Sequence, residues 1–198
     1  QDYKMLMVGI MTRMGREDDA ISVLDSIPEG APRRYFYHAQ LLKAQGKKAE
    51  AIPVFEFAIF EYPDFIPAYR ELLNILQEQP ENPMYEYWVD QFVLMMPKSP
   101  DAAFYYAENR WVERKFEELA EADWFDDLDL TPNDSIAVIG GDVIADHPDY
   151  WALRAKLFRD LARCKLNSNS QLLEKMIDGT DDYAQFKNLI DTHRHLCE

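Results

Sequence analysis

The fold of this protein is decided by residues 32–63, which read PRRYFYHAQLLKAQGKKAEAIPVFEFAIFEYP. Small and apolar side chains stand at helical spacing in the first half of this stretch, at Tyr35, Ala39 and Leu42. Gly46 follows them and supplies a tight turn. A second helical stripe fills the other half, at Ala49, Ile52, Phe55, Ala58 and Ile59. Pro63 cannot continue a helix, so the stretch predicts two helices joined by a turn.

The same offsets recur on both sides of this unit. Before it, they fall on Val8, Gly15, Ala20, Leu24, Ile27 and Pro32. After it, they fall on Leu73, Pro80, Tyr85, Val89, Phe92 and Pro97. A fourth unit begins with Ser99 as the helix N-cap and Pro100 at the first helical position. After a one-residue insertion it continues through Ala107, the turn at Arg114 and Lys115, Ala120, Trp124 and Pro132.

This register resembles that of the tetratricopeptide repeat (TPR) family. The unit at 32–63 carries the resemblance best, through Ala39, Gly46, Ala51, Phe55, Ala58 and Pro63. The third unit departs from the pattern, since Pro80 replaces the turn glycine and bulky Tyr85 and Phe92 replace small packing residues. The resemblance implies an all-α fold, a right-handed superhelical solenoid of antiparallel helix pairs with about a dozen helices.

The motif fades after Pro132, although the helical pattern continues. Residues 1–131 are therefore predicted to form TPR-like repeats, and residues 132–198 to form divergent repeats or capping helices continuous with them. The predicted helices of this second part lie near 133–145, 149–164, 168–177 and 181–196. Thr131 and Ser168 are predicted N-caps, and Gly179 is a predicted C-terminal stop. The consecutive glycines Gly140 and Gly141 predict a kink or a close helix contact.

Composition limits the classes of partner. The 198 residues are 47% hydrophobic, which is enough for a sizeable core. Lys and Arg number 21 against 36 Asp and Glu, a formal net charge of −15, which disfavours binding to nucleic acid or to an anionic membrane surface. No apolar run reaches the roughly 18 residues of a membrane span. The chain starts at Gln1, which leaves open a removed presequence or a piece of a longer protein.

The two cysteines do not form a disulfide framework. Cys164 and Cys197 both fall near the C-terminal end of the chain. Two free thiols are the favoured interpretation and a single bridge is the alternative. The compartment, cytoplasmic or exported, is therefore left open by the sequence.

The TPR resemblance places partner-binding residues on the first helix of each unit, which lines a concave groove. The candidate groove residues are Tyr37, Gln40, Arg70, Asn74, Tyr105 and Glu108. Arg70 and Asn74 stand one helical turn apart, a spacing suited to holding a carboxylate or a backbone amide. The carboxylate clamp found in one branch of the family is not expected, because Asp101 would repel a carboxylate.

The stretch from Glu113 to Asp129 is the most acidic part of the chain. Its candidate docking residues are Glu117, Glu118, Glu121, Asp126, Asp127 and Asp129. One interpretation is a docking patch for a basic partner, and the other is a solvated helix face that ends in an acidic loop. Calcium or another metal at Asp126, Asp127 and Asp129 is a weak alternative, because no turn glycine completes the pattern.

No catalytic motif occurs in the sequence, so no catalytic residue, metal or cofactor is expected. His193 and His195 lie two residues apart, which places them on different faces of a helix and makes joint metal binding poor. The leading hypothesis is a non-enzymatic scaffold that binds a peptide, helix or protein partner in the groove. The alternatives are a regulatory or targeting domain of a longer enzyme or membrane-assembly protein, and a helical enzyme with an acidic metal-assisted site. Self-association through Trp88, Trp111 and Trp151 is a further hypothesis.

Overall fold

The computed structural model describes residues 2–31, 33–78, 82–131, 148–167, 169–178 and 184–197. Within these residues it contains eleven α-helices and two short 3-10 helices and no strand, which confirms the predicted all-α class. The helices are α1 (Asp2–Arg13), α2 (Glu17–Asp25), α3 (Arg34–Ala44), α4 (Lys48–Glu61), α5 (Ile66–Gln77), α6 (Met84–Met95), α7 (Pro100–Val112), α8 (Phe116–Ala120), α9 (Pro148–Leu166), α10 (Ser170–Asp178) and α11 (Ala184–His193). The 3-10 helices are Asp123–Asp127 and Arg194–Leu196.

The chain divides into two compact units, Gln1–Trp88 and Val89–Glu198, called unit 1 and unit 2 here. The division falls within α6. The predicted domain boundary was placed where the repeat motif fades, at residue 132. That position lies at the edge of a segment outside the described residues. The division of the chain into 1–131 and 132–198 therefore stays a prediction.

Unit 1 is built from helix hairpins. α1 packs on α2 and α3 packs on α4, while α3 also contacts α1 and α2. Small side chains are fully buried where the helices meet, at Ala20, Ala39, Ala51 and Ala58. The rings of Phe36, Phe55 and Phe65 fill the space beside them, with Phe36 at 5.9 Å from Phe55 and 5.0 Å from Phe65 between centroids. Small residues in helix contacts allow close approach, as the sequence pattern predicted.

One backbone motif ends the first helix of three hairpins. Its key residue has a positive φ, which is 69° at Gly15, 77° at Gly46 and 59° at Arg114. The N–H of the next residue donates to the carbonyl five residues earlier, in the pairs Arg16 to Met11, Lys47 to Leu42 and Lys115 to Arg110, at 2.8–2.9 Å. These bonds satisfy carbonyls that the end of a helix otherwise leaves unpaired. The predicted turns at Gly15, Gly46 and Arg114 are therefore confirmed, with one geometry for all three.

Unit 2 is organised around α9, which packs against both α7 and α8. Phe125 and Leu119 are fully buried in the core that these helices share, beside Phe158 of α9. The second helix of the predicted fourth repeat is shorter than its pattern indicated. It ends as α8 at Ala120, and Trp124 lies in the following 3-10 helix instead.

Side-chain caps stand at the start of α7 and α10. Ser99 caps α7, since its Oγ accepts from the N–H of Ala102 at 3.3 Å, as predicted. α10 begins at Ser170, and its cap is Asn169, whose Oδ1 accepts from the N–H of Leu172 at 3.1 Å. Several predictions fall on, or depend on, residues outside the described ones. They are the cap at Ser168, the stop at Gly179, the helix near 133–145 with its cap at Thr131, and the glycine pair Gly140 and Gly141.

The favoured interpretation of the cysteines was wrong. Cys164, near the end of α9, and Cys197, just after the second 3-10 helix, form a disulfide. Both side chains are buried in a cluster that includes Leu161, Met176 and Ile190. The bridge spans 33 positions in sequence and closes the segment of α10 and α11 back onto α9. The cysteines come together because of tertiary packing, which spacing alone does not reveal.

The shared turn generates a paired prediction about stability. Replacing Gly46 with Ala should lower the free energy of unfolding by about 1 kcal/mol, because alanine disfavours a positive φ. No heavy atom lies within 4 Å of the added Cβ, so the cost is conformational and not steric. Replacing Arg114 with Gly should raise the free energy of unfolding by a similar amount. Urea denaturation of the two variants measures both signs, and a loss of stability in Arg114→Gly would contradict the proposed strain.

Candidate functional site

The candidate groove residues of unit 1 lie on α3 and α5. α5 buries most of its length, through Ala68, Tyr69, Leu72, Leu73, Ile75 and Leu76. Arg70 is half-buried and Asn74 is exposed on the remaining polar side, one turn apart as predicted. Both side chains already interact with other groups of the chain. This part of α5 is therefore ordered by internal contacts and open to solvent at Asn74.

Tyr37 serves packing inside unit 1. A Cβ at Gly9 of α1 would lie 3.3 Å from Cε1 of Tyr37, so the absence of a side chain at Gly9 lets the ring approach. Tyr37 also packs against the buried cluster that contains Met5 and Val8. Gln40, one turn further along α3, is half-buried. Tyr37 thus joins α3 to α1, and its side chain is only partly exposed to solvent.

The environment of α3 also affects its histidine. Burial lowers the pKa of His38, and the nearby positive charge of Arg34 lowers it further, while Asp25 acts in the opposite direction. The neutral imidazole is therefore favoured in the folded state. The first helix of the second hairpin therefore carries an uncharged ring at the position that follows Tyr37 in sequence.

The two candidate groove residues of unit 2 have different surroundings from those expected. Tyr105 is only 6% exposed and packs against Phe92 and Phe104, so it is a core residue and does not offer an exposed contact area. The carboxylate of Glu108 forms an ion pair with Arg154 at 3.4 Å. The guanidinium of Arg154 lies over the ring of Phe104 at 4.8 Å. Sequence periodicity placed Tyr105 on the first helix correctly but not on its exposed side.

The acidic segment has its basic partners inside unit 2. Its ion pairs join Glu118 to Arg110 at 2.9 Å, Asp123 to Arg163 at 2.6 Å, and Asp126 to Arg159 at 3.1 Å and Lys156 at 3.8 Å. Three of these four cations belong to α9. The composition of the acidic segment gives its charge but does not reveal which helix covers it. The basic residues of α9, spaced at three and four positions from Lys156 to Arg163, are the signal it missed.

The remaining acidic residues face solvent. Glu117, Glu121 and Asp127 are exposed and have no ion pair with any residue that the structure describes. Asp129 is also exposed; hydrogen bonds from Thr131, including its N–H at 2.9 Å, lower the pKa of the Asp129 carboxyl. Among the described residues no group of three or more His, Cys, Asp or Glu is placed to hold a metal ion. At the weak metal candidate, Asp126 is instead engaged by two cations.

The tryptophans considered for self-association are all in contact with their own unit. The indole Nε1 of Trp88 donates to Oε1 of Glu56 at 3.0 Å. Trp111 packs at the edge of the core beside Phe158, and Trp151 lies 4.6 Å from the ring of Phe104. Their contacts favour a packing role for these side chains.

Sequence reasoning also missed a cavity in unit 2. It has a volume of about 530 Å³ and lies where the α7–α8 turn, the end of α9 and the C-terminal helices meet. Its lining includes Arg114, Lys165, His193 and His195. The turn and the two histidines were noted from sequence as separate features. Only the tertiary structure brings them to one place.

No protein-family model, curated protein or solved structure matches this chain. The resemblance to tetratricopeptide repeats therefore stays a prediction from the residues themselves. Of the helices that the structure describes, none has both the length and the apolar character to cross a bilayer.

The ion pairs of α9 lead to a prediction about Arg159. Its side chain is only 5% exposed and lies between Asp126 and Asp160, the latter at 3.2 Å. Arg159→Met should lower the free energy of unfolding by about 2–3 kcal/mol, because it leaves the nearly buried carboxylate of Asp160 with one cation fewer. Chemical denaturation measures the loss. Asp127→Asn, at an exposed position without an ion pair among the described residues, is the control and should change stability by less than about 0.5 kcal/mol.

The buried phenol of Tyr69 generates a pH prediction. Burial and the charge of Asp64 raise the pKa of Tyr69 to about 12 in the folded state. Since the unfolded pKa is about 10, the fold favours the neutral phenol, and this contribution is complete below pH 10. Stability should therefore fall as the pH rises from 10 through 12. Unfolding curves of Tyr69→Phe across this range should lack that part of the decline, and an identical decline in the variant would contradict the assignment.

Proposed function

We propose that this protein is a non-enzymatic binding module whose helix pairs stack into a right-handed TPR-like solenoid and hold a protein or peptide partner. The observation that carries the proposal is the recurring hairpin. The α1–α2 and α3–α4 hairpins of unit 1 each end their first helix at a glycine with positive φ, and small residues are buried in them. Stacked hairpins leave one helix of each pair on a common face, and repeat proteins use such extended faces for binding.

Exposed apolar side chains on unit 1 support a binding role. Tyr3, Leu6 and Ile10 of α1 are 72%, 39% and 47% exposed, and their spacing places them on one face of this first helix. Contiguous apolar surface is costly in water, and it is typical of sites that a partner covers.

The polar side of α5 supplies the hydrogen-bonding groups that would give the proposed binding face its specificity. Arg70 carries a planar cation with five donors, and Asn74 offers both a donor and an acceptor one turn away. Together they suit the carboxylates and backbone amides of an extended peptide. Tyr37 and Gln40 of α3 complete the proposed set in unit 1.

The experiment is affinity capture from an extract of the producing cell, using three immobilised baits. They are the wild type, the double variant Arg70→Glu/Asn74→Ala, and the variant Phe57→Ser/Phe60→Ser on α4. Circular dichroism and thermal unfolding first establish that all three are folded. We expect a partner whose recovery falls at least about tenfold with the α5 variant, because the carboxylate of Glu repels the groups that Arg70 would bind.

The α4 variant is the matched control for this proposal. Recovery of the partner should be retained by Phe57→Ser/Phe60→Ser if the first helices form the binding face. A partner lost only with the α4 variant would contradict the proposed face, while leaving a binding role on α4. Capture of no protein by the wild type would contradict the binding role itself.

A further inference from the structure

The cavity of unit 2 concentrates positive charge in an acidic protein. The side chains of Arg114 and Lys165 line it from two different elements, the α7–α8 turn and the end of α9. Neither has an ion pair with any residue that the structure describes. Among the described residues that line the cavity there is no carboxylate, although the chain has 36 Asp and Glu against 21 Lys and Arg. Two uncompensated cations that face one space attract an anion.

The other walls of the cavity are aromatic and apolar. Trp111 and Phe116 meet edge to face with ring centroids 5.3 Å apart, and Val112 and Leu196 stand beside them. The ammonium of Lys165 lies 4.8 Å from the Phe116 ring centroid, which holds the cation against the aromatic wall. Such walls suit a flat apolar body attached to the anionic group.

The histidines add hydrogen-bonding capacity. Nδ1 of His193 donates to the carbonyl of Leu189 at 2.9 Å, and the ring contacts Trp111 edge to face at 5.2 Å. Because Nδ1 carries the proton donated to Leu189, Nε2 of His193 can donate a hydrogen bond to a ligand only in the imidazolium form. His195 and the hydroxyl of Thr192 also line the cavity. The two permanent cations therefore carry the attraction, and these groups orient what is bound.

The backbone at Arg114 points to a use for its side chain. Arg114 holds the positive-φ position that glycine holds at Gly15 and Gly46 in the same hydrogen-bonded turn. Arginine is strained there and glycine is not. Strained residues cluster at binding and catalytic sites, where the function of the side chain offsets the energetic cost of the backbone conformation. At this turn, the side chain lines a cavity.

The disulfide holds the two sides of the cavity together. Cys164 precedes Lys165 directly, and Cys197 follows Leu196 directly. The bridge therefore fixes the end of α9 against the second 3-10 helix, which carries His195. A site whose walls are fixed before binding loses less entropy when it takes up a ligand.

We infer that this cavity binds a small organic anion, a carboxylate or a phosphate carried on a flat apolar body. Arg114 and Lys165 contact the anionic oxygens, and Trp111 and Phe116 cover the apolar part. The site lies in unit 2 and is independent of the partner face proposed on unit 1. It requires no covalent step and no metal.

Three naphthalene probes test the inference on the full chain with its disulfide intact. They are 2-naphthoate, 2-naphthyl phosphate and the neutral 2-naphthamide, titrated by isothermal calorimetry. We expect at least one anion to bind about tenfold or more tightly than the amide, because charge-assisted hydrogen bonds require the anion. The tighter of the two anions identifies whether carboxylate or phosphate is the preferred group. Equal binding of all three would overturn the inference.

Variants of the two cations locate the site. Arg114→Gly should weaken binding of the tighter anion about tenfold while it raises the melting temperature by about 3 °C, since the strain is removed together with the charge. Lys165→Gln should weaken binding without changing the turn. Lys175→Gln on α10, which removes the same charge from an exposed position outside the cavity, should leave affinity unchanged. Wild-type affinity in both cavity variants would overturn the assignment.

Discussion

The hairpins of this protein depend on one backbone constraint, the residue of positive φ that ends α1, α3 and α7. A helix leaves its last carbonyls unpaired, and the turn satisfies two of them while it reverses the chain. The bonds from Arg16, Lys47 and Lys115 are short and well formed. Because the second helix starts immediately after the turn, the turn also sets which of its residues meet the first helix.

The packing of unit 1 follows from that register. With the turn fixed, Ala20 in the first hairpin and Ala51 and Ala58 in the second fall at the helix contacts, where they are buried. Larger side chains at these positions would separate the helices and strain the turn. The aromatic residues Phe36 and Phe55 then fill the volume that the small residues leave to one side. Large apolar groups that find no place inside, such as Phe60, remain on the surface.

Local rules explain why much of the fold could be predicted. The hairpins of unit 1, the glycine turns and the Ser99 cap depend on residues close in sequence, and the structure confirms them. The disulfide, the burial of Tyr105 and the ion pairs of Asp126 depend on contacts between distant segments, which periodicity does not specify. The charge of the acidic segment was read correctly, but three of its four cationic partners lie thirty or more residues further on, in α9. The cavity was missed for the same reason, since its walls come from three separate parts of unit 2.

The cations of α9 have different roles because they lie on different faces of the helix. Some form ion pairs with the acidic segment, and Lys165 forms none with its described residues. Arg159 and Arg163 stand four residues apart on one face and pair with Asp126 and Asp123. Lys165 lies two residues beyond Arg163, a rotation of about 200° around the helix, which turns it away from the carboxylates of Asp123 and Asp126. It meets the Phe116 ring instead of a carboxylate. The net charge of −15 therefore does not describe the surroundings of Lys165, which has no ion pair with any residue that the structure describes.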